Sequence, residues 1–170
     1  MILIIVESPS KTKKVKQYAE AVLNKTVVAM ASIGHPGNIA RAITLDDIKK
    51  FEFPYEINKA KLPNMKKIID FTKKSELIYL AMDEDREGEG IAYRVYLELL
   101  KARVNKSKIK RVIFHEITAK GIKEGLNNAR ELDFNLINAQ VCRSCLDQVV
   151  GFALSKKLMN SSNQILSPKL

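Results

Sequence analysis

Apolar and β-branched residues gather in short unbroken runs, and between these runs they recur every three or four positions. Met1–Val6 (MILIIV) reads as a strand buried on both faces. Ser8-Pro9-Ser10 follows as a helix start, after which Val15, Tyr18, Ala19, Val22 and Leu23 share one helical face. Thr26–Ser32 (TVVAMAS) predicts a second buried strand, closed by the turn residues Gly34 to Asn38. Ala40–Leu62 is less regular, and Pro54 and Pro63 bound its last part. Met65, Ile68, Ile69 and Thr72 mark another helix. Leu77–Met82 predicts a third strand, and Glu87–Leu100 a helix with Ile91, Val95 and Leu99 on one side. Arg111–His115 predicts a fourth strand. The alternation implies an α/β fold, a parallel sheet of about four strands flanked by helices.

After Glu116 no strand signal recurs. Thr118 can cap a helix carrying Ile122 and Leu126, and a longer helix is expected from about Phe134 to Leu158, with Ile137, Val141, Cys145, Val149 and Val150. Asn160–Leu170 is polar and unperiodic, which predicts a fraying tail. The pattern thus divides into an α/β domain over 1–116 and an all-helical segment over 117–170, too small to be self-sufficient.

Composition narrows the class. The 170 residues are 46% hydrophobic and 28% charged, enough apolar mass for a core. No run approaches the roughly 18 apolar residues of a membrane span, and the opening run meets Glu7 with no basic residue before it, unlike a signal peptide. Two cysteines are too few for a disulfide framework and suit a reducing cytosol. Secreted, fibrous, transmembrane and disordered classes are set aside. Lys and Arg number 29 against 19 acids, giving a net charge of +10 and a pI near 9.6. Lys101–Arg111 alone holds six basic residues and no acid. Such a balance suits a polyanion, nucleic acid before membrane.

Against this basic background, Asp83-Glu84-Asp85-Arg86-Glu87-Gly88-Glu89 places five carboxylates where a buried strand ends and a helix begins. Open α/β sheets receive ligands at that edge. Glu7 follows the first strand in the same way, and adjacency of the first and third strands would bring it close to Asp83 and Asp85. Clustered carboxylates repel one another unless a cation is present. An all-oxygen donor set suits Mg²⁺, held by one or two carboxylates plus water and phosphate oxygens. Asp83, Asp85 and Glu87, at alternate positions, are the metal candidates. Glu84 suits either account, and Glu89 reads as a solvated residue favouring the helix dipole. Gly88 and Gly90 lighten the loop where a substrate would approach.

These residues resemble the toprim domain shared by topoisomerases, primases and some nucleases. VESPSK (Val6–Lys11), ASIGH (Ala31–His35), DEDREGE (Asp83–Glu89), FHEIT (Phe114–Thr118), and NAQVCR (Asn138–Arg143) through DQVVG (Asp147–Gly151) follow the order and spacing of the amino-terminal region of type IA DNA topoisomerases. The resemblance covers residues 1 to about 158. It implies Mg²⁺ at Asp83, Asp85 and Glu87, proton transfer with the 3′ oxygen by Glu7, and charge stabilisation on the scissile phosphate by Lys11. It also implies His35 near the active site, and Arg143 and Asp147 lining a groove for single-stranded DNA. Gln140, one turn before Arg143, could reach a base edge. The family often has a second arginine where this chain has Ser144. His115 reads as structural, and the Cys142/Cys145 pair as small core or interhelical residues, since one CxxC cannot complete a zinc site.

Type IA enzymes cut with a tyrosine nucleophile. Tyr18, Tyr55, Tyr79, Tyr93 and Tyr96 do not match its motif, which lies in a later domain. The resemblance therefore implies the amino-terminal part of a cytoplasmic, nucleoid-associated isomerase that works with single-stranded DNA and with the remaining tyrosine-bearing and gate-forming part, and is inactive alone. The rivals are a free-standing Mg²⁺-dependent toprim nuclease and a non-catalytic nucleic-acid-binding module.

Overall fold

The computed structural model describes residues 1–39, 47 and 55–165. Its elements run β1 (Ile2–Val6), α1 (Pro9–Leu23), β2 (Val27–Ala31), β3 (Gly37–Ile39), β4 (Tyr55–Ile57), α2 (Leu62–Lys73), β5 (Leu77–Ala81), α3 (Arg86–Lys101), β6 (Ile109–Arg111), α4 (Ala119–Asn127) and α5 (Phe134–Ile165). Short 3₁₀ turns cover Lys59–Lys61 and Lys106–Lys108. Most of the irregular stretch 40–62 and the last five residues lie outside the described set.

Four strands form one parallel sheet in the order β2-β1-β5-β6, the α/β architecture that the alternating pattern predicts. All five β1 residues are buried, as a central strand covered on both faces requires. Its alternate side chains feed two cores. Leu3 and Ile5 join Ile78, Leu80, Met65 and Ile68 and the α3 residues Ile91, Val95 and Leu99. Ile2, Ile4 and Val6 join Val15 and Ala19 of α1 and Ile122 and Leu126 of α4 on the opposite face. So α4, grouped by pattern with the helical segment, covers the sheet beside α1.

Local chemistry fixes the helix starts. Ser8 caps α1 ahead of Pro9 at its first position, and Asn24 closes the helix in the left-handed region at φ 48°. Thr118 caps α4 through the Gly121 N–H at 3.1 Å, as the sequence predicts. Asp85 caps α3 through the Gly88 N–H at 2.6 Å.

Three expectations need correction. The fourth strand is Ile109–Arg111 rather than Arg111–His115; beyond it the Val112 N–H still donates to the Leu80 carbonyl at 3.0 Å. Arg111 then bonds through its backbone to Arg130, which turns the chain away from the sheet. The long helix continues to Ile165, through positions expected to fray. Cys142 is exposed, whereas Cys145 is buried. A three-residue step on a helix turns far enough to put one thiol in the core and the other in water. The short antiparallel pair β3–β4 carries no sequence signal of its own.

The first half of α5 lies on α3. Ile137 and Cys145 are buried, and Phe134 meets Tyr93 edge-to-face at 6.0 Å between ring centres. Gly90 permits this approach, because a Cβ there would stand 2.8 Å from the Gln140 Cγ. Further along, Leu146, Val149 and Val150 are exposed, so the apolar face is used over only part of its length.

Candidate functional site

Strand register decides where the candidate residues meet. Val6 of β1 lies opposite Ala81 of β5. The two chains therefore leave the sheet side by side, Glu7 on one and Met82-Asp83 on the other. Lys11, in the first turn of α1, spans the gap and its Nζ donates to Asp83 Oδ1 at 2.5 Å. Glu7 has its carboxyl pKa raised, first by burial and then by Asp83, with Lys11 opposing and Asp85 and Glu87 adding to the rise. The four acids thus share one electrostatic neighbourhood.

This coupling has a measurable sign. A carboxyl with a raised native pKa binds its proton more tightly in the folded chain, so stability falls as pH climbs from the ordinary value of 4.5 through the raised one. Glu7→Gln should therefore raise the melting temperature at pH 7. The two chains should converge below pH 4.5, and a constant difference across that range would contradict the assignment.

The His35 loop is tied to the same place. The N–H groups of Ile33 and Gly34 both donate to the Glu7 carbonyl, at 3.0 and 3.3 Å. Ile33 has φ 61° and Gly34 φ 71°. A β-branched residue in that region is strained, and the ammonium of Lys61 braces the turn by donating to the Ile33 and His35 carbonyls at 2.9 and 2.5 Å. Burial lowers the His35 pKa, Glu87 opposes that, and Arg94 and Lys61 reinforce it. His35 is accordingly neutral at pH 7.

On the far side, α5 supplies the second wall. An open groove of about 490 Å³ is lined by Asp85, Arg86, Glu87, Gln140, Arg143 and Asp147. Arg143 Nε lies 3.6 Å from Asp147 Oδ2, both side chains being exposed, as their i,i+4 spacing predicts. One cleft thus gathers two of the three metal candidates and all three strand candidates, while Asp83 is outside its lining and pairs with Lys11.

The donor set is oxygen only, which suits Mg²⁺. Among the described residues no three His, Cys, Asp or Glu side chains stand close enough together to hold a metal ion outright. Asp83 Oδ1 is engaged by Lys11 and Asp85 Oδ1 by the Gly88 N–H. Mg²⁺ is bound through one or two carboxylates with water and phosphate completing its shell, and Asp85 and Glu87 on one groove meet that requirement.

The residue most misjudged from sequence is Glu89. It is 1% exposed, not solvated. Its Oε2 accepts from Arg111 Nε at 2.8 Å and its Oε1 from the Asp133 N–H at 2.8 Å, and Arg130 donates to both oxygens at 3.2 Å. Arg111, also 1% exposed, donates onward to the carbonyls of Leu80, Met82 and Asp83. The pair thus fastens the backbone of the acidic loop. The missed signal was periodicity: Glu89, Ala92, Tyr96 and Leu99 share one buried helical face. Gly88 serves the same loop, since a Cβ there would stand 2.3 Å from the Asp83 carbonyl oxygen. His115 instead meets Glu84 at 3.0 Å on the exposed surface.

Tyr55 and Tyr79 are set in surroundings that disfavour the phenolate. Tyr79 and Tyr96 are buried, and burial pushes Tyr55 up to about 12. No described helix is long and apolar enough to cross a membrane.

The chain belongs to the toprim family: residues 2–117 match the Toprim domain. It is 40% identical over 164 residues to DNA topoisomerase 1 of Rickettsia typhi, covering 93% of this chain and 20% of that protein. Against DNA topoisomerase 1 of Helicobacter pylori it is 37% identical over 168 residues, covering 97% of this chain and 22% of the other. The structure of full-length topoisomerase I from Thermotoga maritima matches with a TM-score of 0.75 at 34% identity, over 92% of this chain and 26% of that one. The chain thus spans about a fifth of the length of the curated relatives it matches.

Proposed function

We propose that this chain provides the acidic and strand-binding parts of a type IA DNA topoisomerase active site, acting on single-stranded DNA in the cytoplasm at the nucleoid. The observation that carries the reading is the single groove shared by Asp85, Glu87, Gln140, Arg143 and Asp147, opening beside Glu7 and Lys11. Mg²⁺, held by Asp85 and Glu87 with Asp83 alongside, would neutralise phosphate charge and orient the strand. Lys11 offers an ammonium where charge develops on the scissile phosphate. Glu7, its pKa raised by burial and by Asp83, exchanges a proton with the 3′ oxygen. Neutral His35 supplies a hydrogen bond at the same edge. Arg143 pairs with a backbone phosphate and Gln140 faces a base edge. The tyrosine nucleophile and the strand-passage gate come from a further part of the enzyme, and without them these residues bind but do not cut.

The test is incubation of the purified chain with end-labelled single-stranded DNA, with and without Mg²⁺, read on a denaturing gel before and after protease. Binding without cleavage is expected, and addition of the tyrosine-bearing part should yield protein-linked cuts. Mg²⁺-dependent cuts with free ends would instead identify a hydrolytic toprim nuclease. Mg²⁺ that neither binds nor alters DNA affinity would leave only a binding module.

A further inference from the structure

One carboxylate joins the two walls of the acidic groove. Asp85, Arg86 and Glu87 form the wall at the start of α3, and Gln140, Arg143 and Asp147 form the wall on α5. Glu89 lies one helical turn after Asp85, and its N–H donates to the Asp85 carbonyl at 3.0 Å. Towards the metal candidates, Glu89 holds Arg111, whose guanidinium bonds the carbonyls of Leu80, Met82 and Asp83 where β5 runs into the acidic loop.

Towards the strand candidates, Glu89 Oε1 accepts the Asp133 N–H. Asp133 is itself the residue that starts α5. Its side chain accepts from the N–H groups of Asn135 and Leu136 at 2.9 and 3.2 Å, and its carbonyl accepts from Ile137 at 3.0 Å. The first turn of α5 therefore hangs from the same carboxylate that fixes Asp83. Arg130 closes the connection, donating to both oxygens of Glu89 while its backbone pairs with that of Arg111. Apolar residues of similar volume would often stabilise a core as well as a buried ion pair does. What directed hydrogen bonds add is a fixed geometry between the parts they join.

We propose that Glu89, with Arg111 and Arg130, is a positioning residue that couples the two halves of the site. A strand held by α5 tightens the grip of the acidic loop on Mg²⁺, and Mg²⁺ tightens the grip on the strand by the same factor. The inference rests on the topoisomerase reading, which supplies both ligands. Glu89 is 1% exposed and acts only through its partners. A strand that immobilises Arg143 and Asp147 immobilises the first turn of α5, and through Glu89 and Arg111 the Met82 and Asp83 carbonyls. The loop carboxylates then have less freedom to lose when the cation arrives.

The test uses the full chain, a short labelled single-stranded oligonucleotide, and Mn²⁺ as a spectroscopic substitute for Mg²⁺. Free Mn²⁺ is read by electron paramagnetic resonance with and without saturating oligonucleotide. In the native chain the oligonucleotide should tighten Mn²⁺ binding by about tenfold, an ordinary size for coupling between sites. Glu89→Gln keeps an oxygen for the Asp133 N–H but turns an amide N–H towards Arg111, and should cut the factor to about twofold. Arg130→Gln, at a half-buried position, keeps the test open should Glu89→Gln not fold. It should give an intermediate factor, and Arg130→Lys most of the native one. Ile122→Val lowers stability in the core on the other face of the sheet and should leave the factor unchanged. Amide exchange is the independent readout: the oligonucleotide should slow exchange over Asp83–Gly88 in the native chain and not in Glu89→Gln. A factor that Glu89→Gln and Arg130→Gln both leave at its native value overturns the inference alone, since metal and phosphate would then attract each other directly. An equal fall in Ile122→Val also overturns it, because loss of stability would be the cause. A native chain that fails to bind Mn²⁺ or the oligonucleotide overturns this inference and the reading beneath it together.

Discussion

Replacing Glu89 with alanine is expected to destabilise the chain by about 3–5 kcal/mol, the cost of leaving a buried charge without its partner. Domains of this size have roughly 5–15 kcal/mol in hand, so the loss is a large share of the whole. The substitution strands Arg111 at 1% exposure and removes the acceptor of the Asp133 N–H at the start of α5. It also loosens Asp83, whose carbonyl is held by Arg111. Glu84→Ala is the control: Glu84 carries one charge on the same loop, but its partner His115 is exposed, and such pairs contribute about 0–1 kcal/mol. Urea titration of the two variants should separate their midpoints widely. Coincident midpoints would show that the buried network contributes no more than a surface contact. Limited proteolysis of the Glu89 variant should also open the connection between Asn127 and Phe134, where Arg130 and Asp133 lose their anchor.

That network also marks where sequence reading reached its limit. β1 and β5 are legible because a strand covered on both faces must be apolar throughout, and β2 carries the same apolar signal although it lies at the sheet edge with its three middle residues half-buried. The neighbouring of Glu7 and Asp83 followed from strand adjacency alone, once β1 and β5 were taken as partners. Glu89 and Arg111 were not legible in the same way. Their partners lie 22 and 41 residues apart along the chain, and hydrophobicity patterns treat a buried charge as an exposed one. For the same reason β6 begins two residues earlier than expected, because the arginine that ends it looks like part of a solvated basic run. Lys11 and Asp83, 72 residues apart, could be assigned to one site only by resemblance, and their contact is visible only in three dimensions. Arg94 gave no signal at all, since a lone arginine on a helix is ordinary until the Tyr55 ring beneath it is seen in three dimensions.

In a complete enzyme, Lys11→Ala is expected to lower the rate of strand cleavage by about 10²–10³, the usual loss when one preorganised donor to a developing negative charge is removed. Two features of this chain make the prediction more specific than a rate. Lys11 is bonded to Asp83, so its ammonium sits between the acidic residues and the carboxyl end of β1 rather than free in solvent. It also opposes the raised pKa of Glu7. Removing it should raise that pKa further, and the limb of the cleavage–pH profile governed by Glu7 should move to higher pH. Lys11→Arg should return most of that limb, because the charge is restored, yet recover the rate incompletely, because a planar fork cannot occupy the position of a compact ammonium. A lysine that only braced α1 against β5 would lower stability and leave the pH profile where it was. A lysine that stabilises the phosphate must change both the rate and its dependence on pH, and measuring the two together in the three chains distinguishes these roles.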